Sequence, residues 1–132
     1  MAVKQFLGEW KHEKSEGMDD FLKAMNVGFV KRNLAKSTSP TFIFEADGEK
    51  VKFTRQSVVM TQISMVEFGV ERIEKNPIDG KDVRVTDTLD GDVWKTVTST
   101  GVEITKSIVD GKLVVKQTVK GVTCTRTFVK TK

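Results

Sequence analysis

The chain has 132 residues, of which 38% are hydrophobic and 30% charged, and this predicts one globular domain covering residues 1–132. The formal net charge is +4, and acids and bases are mixed along the whole chain, which is typical of a solvated surface. A single cysteine, Cys124, and a single histidine, His12, exclude an internal disulfide, a cysteine-rich zinc site and any site that needs two imidazoles.

The first residues do not lead into the apolar segment of a secretory signal, and no apolar run is long enough to span a membrane. Together with the single cysteine, this predicts a reducing, cytoplasmic location. Motifs for phosphate loops, dinucleotides and zinc are absent, so we expect no cofactor and no metal.

The first strand is predicted over residues 6–14, and a helical stretch follows before Pro40. Ser15 is expected to cap a first helix whose apolar face carries Phe21, Leu22 and Met25. Asn26 is expected to cap a second helix with Phe29, Val30 and Leu34. A two-helix insert after the first strand has the shape of a lid.

Regularly spaced glycines organise the rest of the chain. From Gly80 onward they recur every ten or eleven residues, at Gly91, Gly101, Gly111 and Gly121. Turns at this spacing between segments rich in Val, Thr, Ile and Phe predict an antiparallel meander, and ten strands without crossover helices need closure. The remaining nine strands are expected near 41–46, 50–56, 59–66, 70–75, 82–88, 92–99, 102–109, 112–119 and 122–130.

Three successive strands each place one polar residue among apolar residues of the same parity. These residues are Lys106, Gln117 and Arg126. For any one of them, a structural ion pair or a locally reversed face is a sufficient explanation. All three together favour a hollow interior whose cations await an anion.

Several segments are similar to the intracellular lipid-binding proteins, which include fatty-acid-binding and cellular retinoid-binding proteins. Residues 6–11 (FLGEWK) resemble the F-x-G-x-W-K start of that family, and the other matching segments are 15–24, 27–29, 39–40, 108–113 and 122–128. The resemblance implies a ten-stranded up-and-down antiparallel β-barrel, with an internal cavity and a helix-turn-helix lid between strands 1 and 2. It also implies non-covalent carriage of a long-chain lipid.

The resemblance assigns roles to individual residues. Arg126 matches the arginine that binds a ligand carboxylate, whereas Phe128 stands where tyrosine is usual and Lys106 where a second arginine is common. Arg126, Lys106, Gln117 and Phe128 are therefore the predicted head-group residues. Direct contact, contact through water and a neutral head group all remain open. The predicted cavity and portal lining comprises Met18, Leu22, Val27, Pro40, Val59, Met60, Ile104 and Val115.

A fatty acid is the first expected ligand, and a retinoid or another amphipathic lipid is the alternative. We expect a monomer with no nucleic-acid partner, since a nucleic-acid-binding barrel would need exposed aromatic residues beside a basic groove. An enzyme is disfavoured because no nucleophile and base form an evident pair. The basic helix residues Lys23, Lys31, Arg32 and Lys36 are typical of a solvated helix face, and the functional alternative is transient contact of the lid with anionic membrane.

Overall fold

The structure is a computed structural model that describes residues 2–58, 60–76 and 80–132. Ten antiparallel strands form one sheet that curls into a nearly closed barrel, as expected. The strands are β1 (Gly8–Glu16), β2 (Thr41–Asp47), β3 (Lys50–Gln56), β4 (Thr61–Val66), β5 (Arg72–Lys75), β6 (Asp82–Asp90), β7 (Val93–Thr98), β8 (Glu103–Val109), β9 (Lys112–Val119) and β10 (Val122–Lys130).

Neighbours along the chain pair in the sheet, except that β1 also pairs with β10 and that β4 and β5 lie at its two ends. Two-residue turns join several strands. Asp110 and Gly111 both have positive φ, as do Lys120 and Gly121, and this conformation matches the twist of tight hairpins. The glycine spacing therefore predicts the meander because glycine enters these turns at little steric cost.

The two predicted helices lie between β1 and β2, as α1 (Met18–Ala24) and α2 (Phe29–Lys36). The predicted caps are wrong. Gly17 and Gly28 precede the helices, and neither helix has a side-chain cap. Ser15 instead belongs to β1, and Asn26 sits in the turn between the helices with a positive φ of 61°.

An irregularity in β1 explains why Ser15 is not a cap. The pairing with β10 shifts between His12 and Lys14, so the strand gains one residue relative to its partner and runs on to Glu16. Ser15 is then half-buried opposite Arg126, and its Oγ lies 2.6 Å from His12 Nε2. Gly17 ends the strand where a Cβ would lie 2.5 Å from the Thr123 carbonyl oxygen, so the close approach of α1 to β10 requires glycine.

The start of β1 also differs from the prediction, since residues Ala2–Phe6 form a 3₁₀ helix. Phe6 is fully buried at this point, and Trp10 follows it into the core with its Nε1 donating to the Phe6 carbonyl at 2.9 Å. Both residues belong to an aromatic cluster that also contains Phe42, Phe44, Phe53, Trp94 and Phe128. This aromatic cluster packs one part of the barrel interior.

Helix α1 packs a second, smaller core against the barrel. Phe21 and Leu22 are buried with Val27, Val102, Val119 and Cys124. Helix α2 has no buried residue, and Phe29 and Val30 are 68% and 79% exposed. It is held to α1 mainly through Asp19, which accepts hydrogen bonds from Arg32 at 3.3 Å and Lys36 at 3.0 Å.

Candidate functional site

The barrel interior is hollow where the aromatic cluster ends. A cavity of about 480 Å³ is bounded by Phe42 and Phe53 on one side and by Met18, Phe21 and Leu22 of α1 on the other. This volume is within the roughly 300–1,000 Å³ typical of small-molecule sites. Most of the lining surface is apolar, and its polar part comes from charged side chains together with hydroxyl and amide side chains.

Strand register places the three predicted polar residues on adjoining parts of the wall. Lys106 pairs with Val115, and Val115 pairs with Arg126 on its other side. Gln117 lies two residues from Val115 and pairs with Ile104 and Cys124. Because residues paired across strands share a face, all three point inward, and all three line the cavity.

Among the residues that the structure describes, Arg126 is a cation without a carboxylate partner. Its Nε is buried and has no hydrogen-bond partner among those residues, and its Cζ lies 5.6 Å from the centre of the Phe128 ring. Burial lowers the pKa of the guanidinium, and the effect that opposes this comes from the Cys124 thiol. A guanidinium keeps its charge in such a setting, so Arg126 presents an unneutralised positive charge to the cavity.

Lys106 has a different environment. Its side chain is 4% exposed, and its Nζ lies 4.9 Å from the centre of the Trp94 ring and 5.2 Å from that of Phe53. Burial lowers the pKa of Lys106 to about 8, although the charge of Asp87 opposes this shift. The nearby Arg55 charge lowers the pKa further.

Asp87 is the buried acid whose charge acts most strongly on Lys106. It accepts hydrogen bonds from Trp94 Nε1 at 2.7 Å, from the Thr96 hydroxyl and from the Arg72 guanidinium. Burial alone raises the pKa of Asp87, but the Lys106 charge and the bonds from Thr96 and Trp94 outweigh it and leave the pKa below its usual value. Asp87 is therefore a carboxylate at neutral pH.

A second acid, Glu74, links the two ends of the sheet. The Ser64 hydroxyl of β4 donates to Glu74 of β5 at 2.7 Å, and Arg55 of β3 donates to the same oxygen at 3.3 Å. Arg72 donates to the other oxygen of Glu74. These side chains span the gap where β4 and β5 lack a backbone ladder.

The predicted lining residues fall into three groups. Met18, Leu22, Pro40, Met60 and Ile104 line the cavity. Val27 and Val115 are buried in the two cores rather than in the cavity wall, and Val59 lies outside the described residues. Phe128, a predicted head-group residue, is also part of the core, where its ring stacks on Phe42 at 4.3 Å.

The charged network of Arg55, Arg72, Glu74 and Asp87 was not among the sequence predictions. Two of its members carried a signal, since Arg55 shares the parity of Val51 and Phe53, and Asp87 that of Val83 and Val85. The parity rule that finds Lys106 would have found both. Arg72 and Glu74 had no such signal. The apolar residue between them, Ile73, is 67% exposed, so β5 turns its polar residues inward and its apolar residue outward.

Charge in the cavity is unbalanced. Among the lining residues in the described part of the chain, six are cationic (Lys31, Arg55, Arg72, Lys75, Lys106 and Arg126) and two are acidic (Glu74 and Asp87). Lys31 and Lys75 are exposed, so four cations and two acids remain in the interior. A mostly apolar cavity with excess buried positive charge is suited to a molecule with an apolar body and an anionic or polar end. The fold and site thus define a small β-barrel carrier class with an internal ligand cavity.

Comparison with known proteins gives the family. Residues 7–131 match the Lipocalin / cytosolic fatty-acid binding protein family. A fatty acid-binding protein of Tyrophagus putrescentiae is 36% identical over 127 residues, which cover 94% of this chain and 96% of that protein. Fatty acid-binding protein 5 of Pygoscelis papua is 31% identical over 134 residues, covering 98% and 99%.

Solved structures agree with the sequence comparison. The crystal structure of Echinococcus granulosus fatty-acid-binding protein 1 superimposes with a TM-score of 0.92 at 28% identity, covering 98% of this chain and 99% of that one. The chain belongs to the Lipocalin / cytosolic fatty-acid binding protein family, whose members bind lipids without acting as enzymes. None of the helices in the described ranges is long and apolar enough to cross a membrane.

Proposed function

We propose that this protein carries a long-chain fatty acid, or a closely similar amphipathic ligand, with the carboxylate held near Arg126. The observation that carries the proposal is the half-buried Arg126 guanidinium, which has no acidic partner among the described residues and lies in a cavity whose lining surface is mostly apolar. An anionic head group would supply the missing partner. The names of the relatives support the same ligand class.

The tail is expected to supply most of the affinity. Each buried methylene contributes about 0.8 kcal/mol, so about fourteen of them contribute on the order of 11 kcal/mol before ordering costs. A hydrogen bond to a charged group adds about 1.5–3 kcal/mol. Arg126 therefore selects and orients the ligand, and the apolar wall retains it.

Lys106 and Gln117 are proposed to widen the head-group site. Gln117 offers both a donor and acceptors, whereas Lys106 adds positive charge. Phe128 supplies no hydroxyl and is packed on Phe42. Water is then the natural link between Arg126 and a carboxylate that does not reach it directly.

A carrier for a retinoid or another lipid with a neutral head is the second candidate. It is favoured by the phenyl ring at Phe128 and by the acids that already neutralise Arg55 and Arg72. A nucleic-acid-binding barrel has less support. Phe29 is the one aromatic residue among the large apolar side chains exposed in the described part of the chain, so a stacking platform is lacking there.

The lid is proposed to meet membranes during ligand exchange. Phe29 and Val30 are exposed beside a basic helix surface, although Lys23, Arg32 and Lys36 share the Asp19 carboxylate and part of their charge is neutralised. Phe29 and Val30 are then the residues expected to insert among anionic lipids. The buried, unpaired Cys124 supports the cytoplasm as the site of this exchange.

Matched ligands test the role of Arg126. Palmitate and hexadecanol share a tail, so Arg126→Gln should weaken palmitate binding about 10- to 150-fold, from 1.5–3 kcal/mol, and hexadecanol binding less than about three-fold. Dissociation constants from titration calorimetry give both values. Lys130→Gln, on the same strand but exposed, is the control and should change neither.

Equal losses for the acid and the alcohol would remove Arg126 from the head-group site. Absence of binding by either ligand to the unmodified protein would refute the carrier itself. Tight binding of hexadecanol with weak binding of palmitate would favour the neutral-head alternative.

A further inference from the structure

The Lys106 amine lies in the cavity wall without a hydrogen-bonded partner. Within the part of the chain that the structure describes, its Nζ forms no hydrogen bond and no ion pair, and it lies over the Trp94 and Phe53 rings instead. Its side chain is 96% buried, from an exposed fraction of 4%. The amine therefore faces the cavity rather than solvent, and no acid of the described residues is in hydrogen-bonding contact with it.

Lys106 also differs in chemistry from the other buried cations. Arg55 and Arg72 are engaged by Glu74 and Asp87, and a guanidinium is a poor nucleophile that does not lose its proton. A lysine amine becomes a nucleophile when burial favours its neutral form. The cavity thus contains a primary amine in the proposed head-group site, where the polar end of a ligand would lie.

The surroundings raise the share of the neutral amine. With a pKa of about 8, about a tenth of Lys106 is neutral at pH 7, which is about 300-fold more than for an ordinary lysine. The charged groups that face it pull in opposite directions, since Arg55 and Arg72 favour the neutral form and Asp87 and Glu74 favour the ammonium. The position of the amine in the cavity wall and its larger neutral share both favour attack on a bound ligand.

We propose that Lys106 captures long-chain aldehydes as a reversible imine within the cavity. The proposal rests on the proposed function, because the same apolar wall has to bind the aldehyde tail. Aldehyde capture would add a covalent activity to a non-covalent carrier. It also concerns a different class of ligand, since an aldehyde has no charge that could pair with Arg126.

The reaction balances without an added oxidant or reductant. The neutral Lys106 nitrogen attacks the aldehyde carbon, its two protons pass to the carbonyl oxygen, and that oxygen leaves as one water molecule when the C=N bond forms. The imine nitrogen then takes up one proton, which balances the proton that the ammonium released before the attack. The Asp87 carboxylate, which acts on the Lys106 charge, is the counter-ion of this protonated imine.

Two features of the cavity favour the imine over its hydrolysis. Tail binding holds the aldehyde beside the amine, which raises its effective concentration. The apolar wall limits the access of bulk water to the C=N bond. The pH dependence should follow the same groups, with faster capture as the pH rises through about 8.

Reductive trapping tests the proposal. The full-length protein is incubated with hexadecanal and sodium cyanoborohydride at pH 7, and intact and peptide mass spectra are recorded. A saturated aldehyde avoids addition of the Cys124 thiol to a double bond. We expect one adduct, with the mass of the aldehyde less one oxygen, on Lys106 and at least about ten-fold above any other lysine.

Two variants and one competitor sharpen the test. Lys106→Arg keeps the charge but cannot form an imine, so it should lose the adduct and still bind hexadecanol. Lys116→Arg, on the exposed face of β9, should keep the adduct. Palmitate in excess should suppress the reaction because both ligands need the same cavity.

The outcomes separate the two proposals. Binding of hexadecanol without an adduct on Lys106, or adducts spread evenly over exposed lysines, would overturn aldehyde capture and leave the carrier intact. Failure of both hexadecanol and palmitate to bind would refute the carrier and aldehyde capture with it.

Discussion

Arg126 and Lys106 face one cavity but differ in what surrounds their charges. Arg126 meets the Phe128 ring and a thiol, whereas Lys106 lies among two aromatic rings and a network with two acids. The guanidinium stays charged and awaits an anion. The amine is held near its own titration point, so pH controls the state of Lys106 but not that of Arg126.

Stability should therefore depend on pH through Lys106. Its pKa is about 8 in the folded protein and near 10.5 when unfolded, so between these values the unfolded chain binds more protons. The free energy of unfolding should rise with pH across this window, by roughly 3 kcal/mol in total. Denaturant titrations at stepped pH from 7.5 to 11 measure this rise.

Lys106→Met is the comparison for this measurement, since methionine has a similar shape without a charge. The chain has no tyrosine, and the Cys124 thiol is present in both proteins, so the difference between the two curves isolates Lys106. We expect the unmodified protein to gain stability relative to the variant as the pH rises. Parallel curves would mean that Lys106 titrates as an ordinary lysine.

Side-chain parity explains how far single residues could be predicted. It finds Lys106, Gln117 and Arg126 because each interrupts an apolar face in a regular strand. It fails for Arg72 and Glu74, since β5 has only four residues and turns its apolar Ile73 outward. A four-residue strand beside the gap in the sheet has too few alternating residues to predict which side faces the interior.

At the scale of elements, the two helices differ in how firmly they are held. Phe21 and Leu22 bury α1 against β10, whereas α2 has no buried residue and contacts Asp19 through charged side chains. Elements with few buried apolar contacts open at low free-energy cost. Helix α2 is therefore the segment expected to move when ligand passes.

The exposed apolar surface of α2 should govern exchange with membranes. We expect a fluorescent fatty acid to move from the protein to vesicles faster as the anionic lipid fraction rises, and Phe29→Ser with Val30→Ser to abolish most of this dependence. Stopped-flow fluorescence with phosphatidylcholine and phosphatidylserine vesicles gives the rates.

Val97→Ser with Val109→Ser is the matched control, since both residues are exposed valines on β7 and β8. This pair should behave like the unmodified protein. A transfer rate that ignores vesicle charge and concentration in every variant would show that the ligand leaves through water and that α2 does not dock.

Elements themselves were well predicted where turns and alternation were regular. All ten strands lie within two residues of their expected bounds. The helix caps were wrong because the shift in pairing after His12 lengthens β1, and a one-residue irregularity in a strand leaves no mark in composition. The gap between β4 and β5 was likewise not predicted, because it depends on pairing rather than on propensity.

The interior of the barrel consists of a packed part and a hollow part. The aromatic cluster around Phe44, Trp94 and Phe128 fills one part of the barrel, and the cavity of about 480 Å³ lies between that cluster and the helices. The packed part supplies the apolar burial that stabilises the barrel. The hollow part has charged side chains in its wall and is the space that the proposed acyl chain would occupy.

A structure of the palmitate complex tests the central claim most directly, by the distance between the ligand carboxylate and the Arg126 guanidinium. The account predicts an acyl chain inside the barrel, with its carboxylate hydrogen-bonded to Arg126 directly or through one water. A carboxylate in bulk solvent, or one bound only by Arg55 and Arg72 with Arg126 left alone, would contradict it.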